Sequence, residues 1–324
     1  MKKITNKGIK RILSGNKKKK YCLIDDSHIL SIRGVKTHLN VDKLTICYTM
    51  SDEIYMNLKS SNILDYKDFK LIRYKDPNKL FSDCFVIQSL NIDDQNGGLI
   101  WYDFAYLKFN IRLSENDAKY NYVWIYVNNK TLYTPMYPGI SIISELEYIA
   151  DVLDLKINNI TSLDIAFDSN INFAKRIRKA VFNPSLSVIL NGKLKDDPKE
   201  ILNEIIYLQK GNQERVTDLS VYISQKKKDG FKLCIYDKVK EVKVSNKSYI
   251  LDWMKMSQNL YRVEIRLKSQ HLKEYFTGLN DFDLNLIYPC LCNQKFLFDI
   301  FISFSMRLLR FRDHNRQVYS ILDV

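Results

Sequence analysis

Residues 260–268, LYRVEIRLK, change character at every step. Successive side chains of an extended chain point to opposite sides. Tyr261, Val263, Ile265 and Leu267 therefore share one face, and Arg262, Glu264, Arg266 and Lys268 share the other. A segment of this kind is satisfied only as a strand packed on its apolar side. Strand composition recurs in VDKLTICY (41–48), CFVIQSL (84–90), YLKFNI (106–111) and YVWIYV (122–127), the last leading into a turn region with Pro135, Pro138 and Gly139. In SLDIAFD (162–168), Leu163, Ile165 and Phe167 oppose Asp164, Ala166 and Asp168. LSVYIS (219–224) and FKLCIYDK (231–238) flank the polar turn QKKKDG, whose Asp229-Gly230 ending is a hairpin signal.

Helical spacing interrupts these strands. Ile142, Ile143, Leu146, Ile149, Ala150 and Leu153 recur at helical intervals behind Ser141, a plausible N-cap. Residues 171–182, rich in Lys and Arg, and 197–209, 269–277 and 284–311 also have helical patterns. No repeat or low-complexity linker divides the chain. The expected fold class is α+β, an antiparallel-rich central sheet with helices on one face. Residues 1–20 are expected to be a basic arm ending in four lysines, 21–280 one domain, and 281–324 a C-terminal helical extension.

Charge narrows the partners. Fifty Lys and Arg against 37 Asp and Glu leave +13 on 324 residues that also include 21 Tyr and 16 Phe. A basic, aromatic-rich chain suits a polyanion, nucleic acid first and a membrane surface second. The six cysteines form no C-x-x-C pair, and Cys290 and Cys292 are too close for the usual zinc half-site. Cys47 and Cys234 lie in apolar runs, as expected of reduced, buried thiols in a cytoplasmic protein. The basic N-terminus lacks the apolar core of a signal peptide. The run 296–309 is broken by Asp299 and Arg307 and falls short of the roughly 20 residues of a membrane span. It reads as a buried helix of a soluble protein.

Four strands carry acids on the side away from their apolar residues or at their ends: Asp42, Asp164 with Asp168, Asp237 beside Tyr236, and Glu264. A polar strand face ordinarily meets solvent. If these strands are neighbours, however, their carboxylates repel unless a cation lies among them. Lys238, Arg262 and Arg266 are available, and hard oxygen ligands suit Mg²⁺ or Mn²⁺. The four histidines form no close pair, no Ser-His-Asp or Cys-His scheme has a supporting context, and neither G-x-x-x-x-G-K nor G-x-G-x-x-G occurs. A P-loop ATPase or helicase is therefore excluded.

The order LDIAFD, then VYISQKKKDGFKLCIYDKVKE, then YRVEIRLK resembles the replication-initiator family of rolling-circle plasmids, which includes initiation factors of conjugative elements. The corresponding residues are Asp164 and Asp168; Tyr236, Asp237, Lys238 and Glu241; and Arg262 and Glu264. VDKLTICY is similar to the family's opening strand, with Asp42 at its acidic position. The resemblance spans roughly residues 40–275; segment 50–140 and the C-terminal helices lie outside its motifs.

The resemblance implies a replication-initiator or relaxase-like fold and a nicking and joining enzyme. Tyr236 would attack a phosphodiester at a plasmid origin, leaving a 5′-phosphotyrosyl link and a 3′-OH primer. Asp42, Asp164, Asp237 and Glu264 would be ligands of Mg²⁺ or Mn²⁺. Lys238 would balance phosphate charge, and Glu241 would orient Lys238 or assist proton transfer. Tyr222, Tyr249 and Tyr261 are alternative nucleophiles. Tyr236 and Asp237 point to opposite sides of an ideal strand, so a shared site requires the strand to end, twist or bulge there. Candidate DNA contacts are Lys226, Lys227 and Lys228 at the hairpin tip, Lys175, Arg176, Arg178 and Lys179 on a helix, Arg262 and Arg266 on the last strand, and Arg307, Arg310, Arg312 and Arg316 near the C-terminus. Origin DNA, a host helicase and a homodimer partner are the expected associations. Two other readings remain: a non-catalytic winged-helix initiator that binds and melts origin DNA, and a charge-driven membrane-surface protein.

Overall fold

Alternation decides which strands form and what they bury. The structure, a computed structural model, describes residues 30–32, 35–75, 81–92, 98–110, 121–133, 142–207, 220–225, 230–278, 283 and 286–324. The expected basic arm (1–20), Ser141 and Lys226–Lys228 lie outside the described residues. The architecture is α+β, with antiparallel sheet and several helices. The chain divides into two units. Asp42–Leu163 and Lys268–Asn293 belong to the first, and Asp164–Leu267 and Gln294–Val324, with a segment ending at Val41, belong to the second. The C-terminal segment read as one extension is thus shared between them.

The strands are β1 (Leu30–Ile32), β2 (Val35–Met50), β3 (Ile63–Tyr66), β4 (Phe69–Tyr74), β5 (Phe81–Ile92), β6 (Leu99–Asn110), β7 (Asn121–Val127) and β8 (Lys156–Ser169). In the first unit the strand order is β2-β7-β6-β5-β4-β3, each neighbour antiparallel. In β7, Val123 and Ile125 are sealed while Tyr122, Trp124 and Tyr126 remain partly exposed, the period-two pattern of a sheet packed on one side. Leu71, Phe85 and Leu107 join them in the core.

Helix α1 (Asp52–Ser60) starts on Ser51, whose hydroxyl accepts the Ile54 N–H at 3.4 Å. Arg73 closes its other end, donating to the carbonyls of Leu58 (2.7 Å), Lys59 (2.6 Å) and Ser61 (3.0 Å) while pairing with Asp83. Helix α2 (Ile142–Val152) buries the five residues Ile142, Ile143, Leu146, Ile149 and Ala150, as its spacing predicts.

The second unit continues with α3 (Phe173–Val181), β9 (Leu186–Leu190), β10 (Lys193–Lys195), α4 (Pro198–Ile205), β11 (Ile206–Tyr207), β12 (Ser220–Ser224), β13 (Lys232–Asp237), α5 (Lys238–Ser245), α6 (Tyr249–Met254) and β14 (Tyr261–Lys268). Helices α7 (Ser269–Thr277) and α8 (Ile287–Leu291) return to the first unit. Helix α9 (Gln294–Leu308), β15 (Leu309–Asp313) and β16 (Val318–Tyr319) complete the second.

Strand order there runs β11-β12-β13-β14-β8, and a separate four-stranded sheet has the order β10-β9-β15-β16. Its β9–β10 hairpin turns on Asn191 and Gly192 at φ 50° and 81°, the left-handed pair that a two-residue turn requires. Helix 284–311 of the sequence reading stops at Leu308 and becomes strand β15, because LRFRD alternates and pairs with β9. Phe231 meets Phe304 of α9 edge to face at 5.0 Å, covering the apolar side of the β12–β13 hairpin.

Candidate active site

The other side of that hairpin carries polar and charged side chains. Register pairs Tyr236 with Arg262, Cys234 with Glu264, and Lys232 with Arg266 across β13 and β14, and pairs Tyr222 with Cys234 across β12 and β13. Side chains directly opposite one another across antiparallel strands share a face. One surface therefore carries Tyr222, Lys232, Cys234, Tyr236, Arg262, Glu264 and Arg266. The surface lines a groove of about 940 Å³ whose walls include Tyr222, Lys232, Tyr236, Asp237, Lys240 and Arg266.

Tyr236, 8% exposed, donates its hydroxyl hydrogen to Glu264 Oε2 at 2.5 Å. Arg266 Nε donates to the other oxygen, Oε1, at 2.6 Å. Glu264 is buried whereas Arg266 is about half exposed. The carboxylate is thus fixed from both sides, by a phenol and by a guanidinium that also lines the groove.

Strand β13 ends at Asp237, which becomes the N-cap of α5; its Oδ1 accepts the Lys240 N–H at 3.1 Å. This ending lets Tyr236 and Asp237 line one groove despite their opposite strand parity. In the next turn Lys238, almost sealed, donates to Glu241 Oε2 at 2.6 Å, and its ammonium stands 5.7 Å from the Tyr236 ring centroid. Burial pushes the Glu241 carboxyl up, but the Lys238 hydrogen bond and charge, helped by Ser245 and Lys247, outweigh it and hold the group below its ordinary value. Burial also pushes the Cys234 thiol up to about 12; Arg266 opposes this shift, while the charges of Glu264 and Asp164 add to it. That influence and the parity of β8 put Asp164 on the Tyr236 side. Tyr222, 41% exposed, lies above the usual phenol value, chiefly through burial.

Arg262 is corrected as a DNA contact. Its guanidinium is fully buried and forms a fork with Asp168, Nε to Oδ1 and Nη2 to Oδ2, both at 2.6 Å. Lys175, Arg176 and Arg178 are exposed on α3, whose Asn172 cap accepts the Lys175 N–H at 2.9 Å. Asp42 belongs to the first unit, where Tyr133 donates to its carboxylate. Lys232 and Lys240 line the groove but were not singled out from sequence; the parity of KLCIY places Lys232 on the Tyr236 side.

Among the described residues no three His, Cys, Asp or Glu side chains are grouped to hold a metal ion. Asp42 is engaged by Tyr133, Asp237 caps α5, and both oxygens of Glu264 already accept hydrogen bonds. The four expected ligands therefore do not form a ready cage. Among the described cysteines, Cys47, Cys84, Cys234 and Cys290 are buried and Cys292 is partly so. Among the described residues no helix is long and apolar enough to cross a membrane.

No family model matches the chain. No curated protein matches it. Among solved structures, a rolling circle replication initiator protein from Geobacillus stearothermophilus aligns over 86% of this chain and 88% of its own, with 13% sequence identity and a TM-score of 0.42.

Proposed function

We propose that this chain nicks and rejoins one strand of DNA to initiate rolling-circle replication, with Tyr236 as nucleophile. The observation that carries the reading is the 2.5 Å hydrogen bond from Tyr236 to Glu264 beside a groove that also presents Lys232, Lys240 and Arg266. An ordinary phenol ionises near pH 10, so attack at neutral pH needs a base in contact with the hydroxyl. Glu264 is that base.

Tyr236 Oη forms a bond to the scissile phosphorus as its proton passes to Glu264, and the bond from phosphorus to the 3′ oxygen breaks. The departing oxygen takes a proton from water and becomes the primer 3′-OH. Protonating Glu264 removes the counter-charge of Arg266, leaving the guanidinium to pair with the phosphoryl oxygens as charge builds there. Lys238, held by Glu241, stands over the Tyr236 ring and adds positive potential. Joining runs the same steps in reverse, with the 3′-OH as nucleophile and tyrosinate as leaving group. The partly exposed Tyr222 lies on the same surface, but burial disfavours its phenolate.

The test uses a single-stranded oligonucleotide spanning the nick region of the cognate origin, with Mg²⁺ or Mn²⁺ present. A label at its 3′ end should migrate with the protein on a denaturing gel, and a 5′ label should appear on a shorter free fragment. Tyr236→Phe should bind the oligonucleotide and give neither product. An adduct formed by this variant at the wild-type rate removes the assignment; binding by the wild type with no adduct under any metal leaves the non-catalytic initiator.

A further inference from the structure

We infer that the outer face of the first unit's sheet is a stacking surface for an unpaired DNA strand; the choice of DNA rests on the reading above, but the surface is separate from the Tyr236 groove. Register places Tyr74, Lys108 and Trp124 in one row across β4, β6 and β7, with Cys84 between the first two. Ile72, Val86, Tyr106 and Tyr126 form the next row. A bulge between Ile87 and Gln88 resets the phase and brings Trp101 to the same side.

The inward-facing neighbours Leu71, Phe85, Leu107, Val123 and Ile125 are fully buried, so the core of this unit is already filled from the opposite side. On this side Tyr74, Tyr106, Lys108, Trp124 and Tyr126 are partly exposed around a buried Cys84, and beyond these rows Tyr122 is 40% and Trp101 37% exposed. A solvated sheet face is ordinarily polar; this one is aromatic, with cations inserted among the rings. Lys108 Nζ stands 5.3 Å from the Tyr126 centroid and 5.9 Å from Tyr74, and Lys70 Nζ stands 4.3 Å from Trp101. Tyr74 and Tyr106 meet edge to face at 5.8 Å.

Flat rings beside ammonium groups match the chemistry of a single strand, whose bases stack and whose phosphates seek cations. The acids on this side, Asp65 on β3 and Asp103 on β6, share the row of Lys70 and Gln88, beyond that of Ile72 and Tyr106, and Asp103 accepts the Gln88 amide at 2.8 Å. The rows around Lys108 are therefore the cationic part. A nicking enzyme must manage the strand it displaces, and this surface would hold it without reading sequence.

The test is a titration of the full chain with labelled oligothymidylate, free of origin sequence and metal, read by anisotropy and by quenching of tryptophan fluorescence. Trp124→Phe should bind as the parent does, whereas Trp124→Leu, which keeps the apolar bulk but loses the π-face, should bind about fivefold or more weaker. Tyr122→Ser, at a well-exposed position, should weaken binding in the same direction. Lys108→Gln should lower the slope of log affinity against log salt by about 0.7. Equal binding by Trp124→Phe and Trp124→Leu, an unchanged salt slope, or tighter binding of oligouridylate than of oligothymidylate overturns the inference. Because nothing is cleaved in this titration, its failure leaves the Tyr236 adduct untouched, and a missing adduct leaves the titration standing.

Discussion

Arg262 and Asp168 meet as a two-pronged ion pair with no exposure on either side chain, both contacts at 2.6 Å. The pair ties β14 to β8 and so fixes the strand that carries Glu264. Removing one partner strands the other as a buried charge, which costs about 3–5 kcal/mol, whereas replacing both removes the charge altogether. Arg262→Met should therefore lower the denaturant midpoint sharply, and Arg262→Met with Asp168→Leu should recover much of the loss. Arg262→Lys should fail to substitute, since an ammonium cannot fill the fork. A single variant as stable as the parent would remove the pair from the list of fold determinants.

Glu264 separates base catalysis from positioning. Glu264→Gln retains an oxygen that can accept the Tyr236 hydroxyl but cannot take its proton, so adduct formation should fall by about 10²- to 10⁴-fold while oligonucleotide affinity holds within a few-fold. Raising the pH should restore part of the rate in this variant, because more phenolate forms without the base. A variant whose rate tracks the parent at every pH would show that another group receives the proton.

Acid stability should report the Lys238–Glu241 contact. Glu241 has a folded pKa below its ordinary 4.5, so the native state binds fewer protons than the unfolded chain just below that pH. The stability gained is complete above about 4.5 and is lost as pH falls through the folded value. Glu241→Gln should lower the urea midpoint at neutral pH, because nearly sealed Lys238 loses its counter-ion. The variant's decline in acid should also be shallower, so that the two curves converge. Curves that stay parallel down to about pH 3 would assign the acid loss to other carboxylates.

Parity carried most of the sequence reading, and its limits are specific. It put Glu264 and Arg262 on one face but said nothing of depth: Arg262 is sealed against Asp168, while Arg266, four residues on, reaches the groove. The conflict between Tyr236 and Asp237 was visible, and its resolution lay in the chain: Asp237 is an N-cap, a role its side chain favours, so the strand ends there. Strands β9 and β10 are marked in the sequence only by Asn191-Gly192 behind LSVIL, a hairpin signal. Strand β15 follows α9 without a Gly or Pro, leaving only the alternation of LRFRD to mark the change. Asp42 shares the acidic pattern of the other strands, but no local pattern reports that Tyr133, 91 positions away, takes its carboxylate.

The hairpin beneath the groove depends on Gly230. A Cβ there would lie 2.6 Å from the Gln225 carbonyl oxygen and 2.7 Å from its Cβ, and Gln225 N–H is bound to the Phe231 carbonyl at 3.1 Å. Backbone cannot yield as a side-chain tip can, so Gly230→Ala should cost about 1–3 kcal/mol. A denaturant midpoint unchanged by the substitution would mean that the turn relaxes freely.

Metal dependence should appear only when DNA is present. Mg²⁺ commonly binds through one or two carboxylates together with substrate phosphate and water, an arrangement that needs no three-carboxylate cage. On the Tyr236 side, Asp164 is the acid able to take such a share, since both oxygens of Glu264 already accept hydrogen bonds from Tyr236 and Arg266. Millimolar Mg²⁺ or Mn²⁺ should therefore leave the melting temperature of the protein alone nearly unchanged, since a ligand stabilises only to the extent that it binds the folded state. The same ions should be needed for adduct formation, and a chelator should abolish it. Asp164→Asn should raise the metal concentration at half-maximal rate more than it lowers the plateau. A large metal-induced rise in melting temperature without DNA would point to a preformed site elsewhere, and an adduct that forms fully in chelator would leave Arg266 and the lysines to neutralise the phosphate alone.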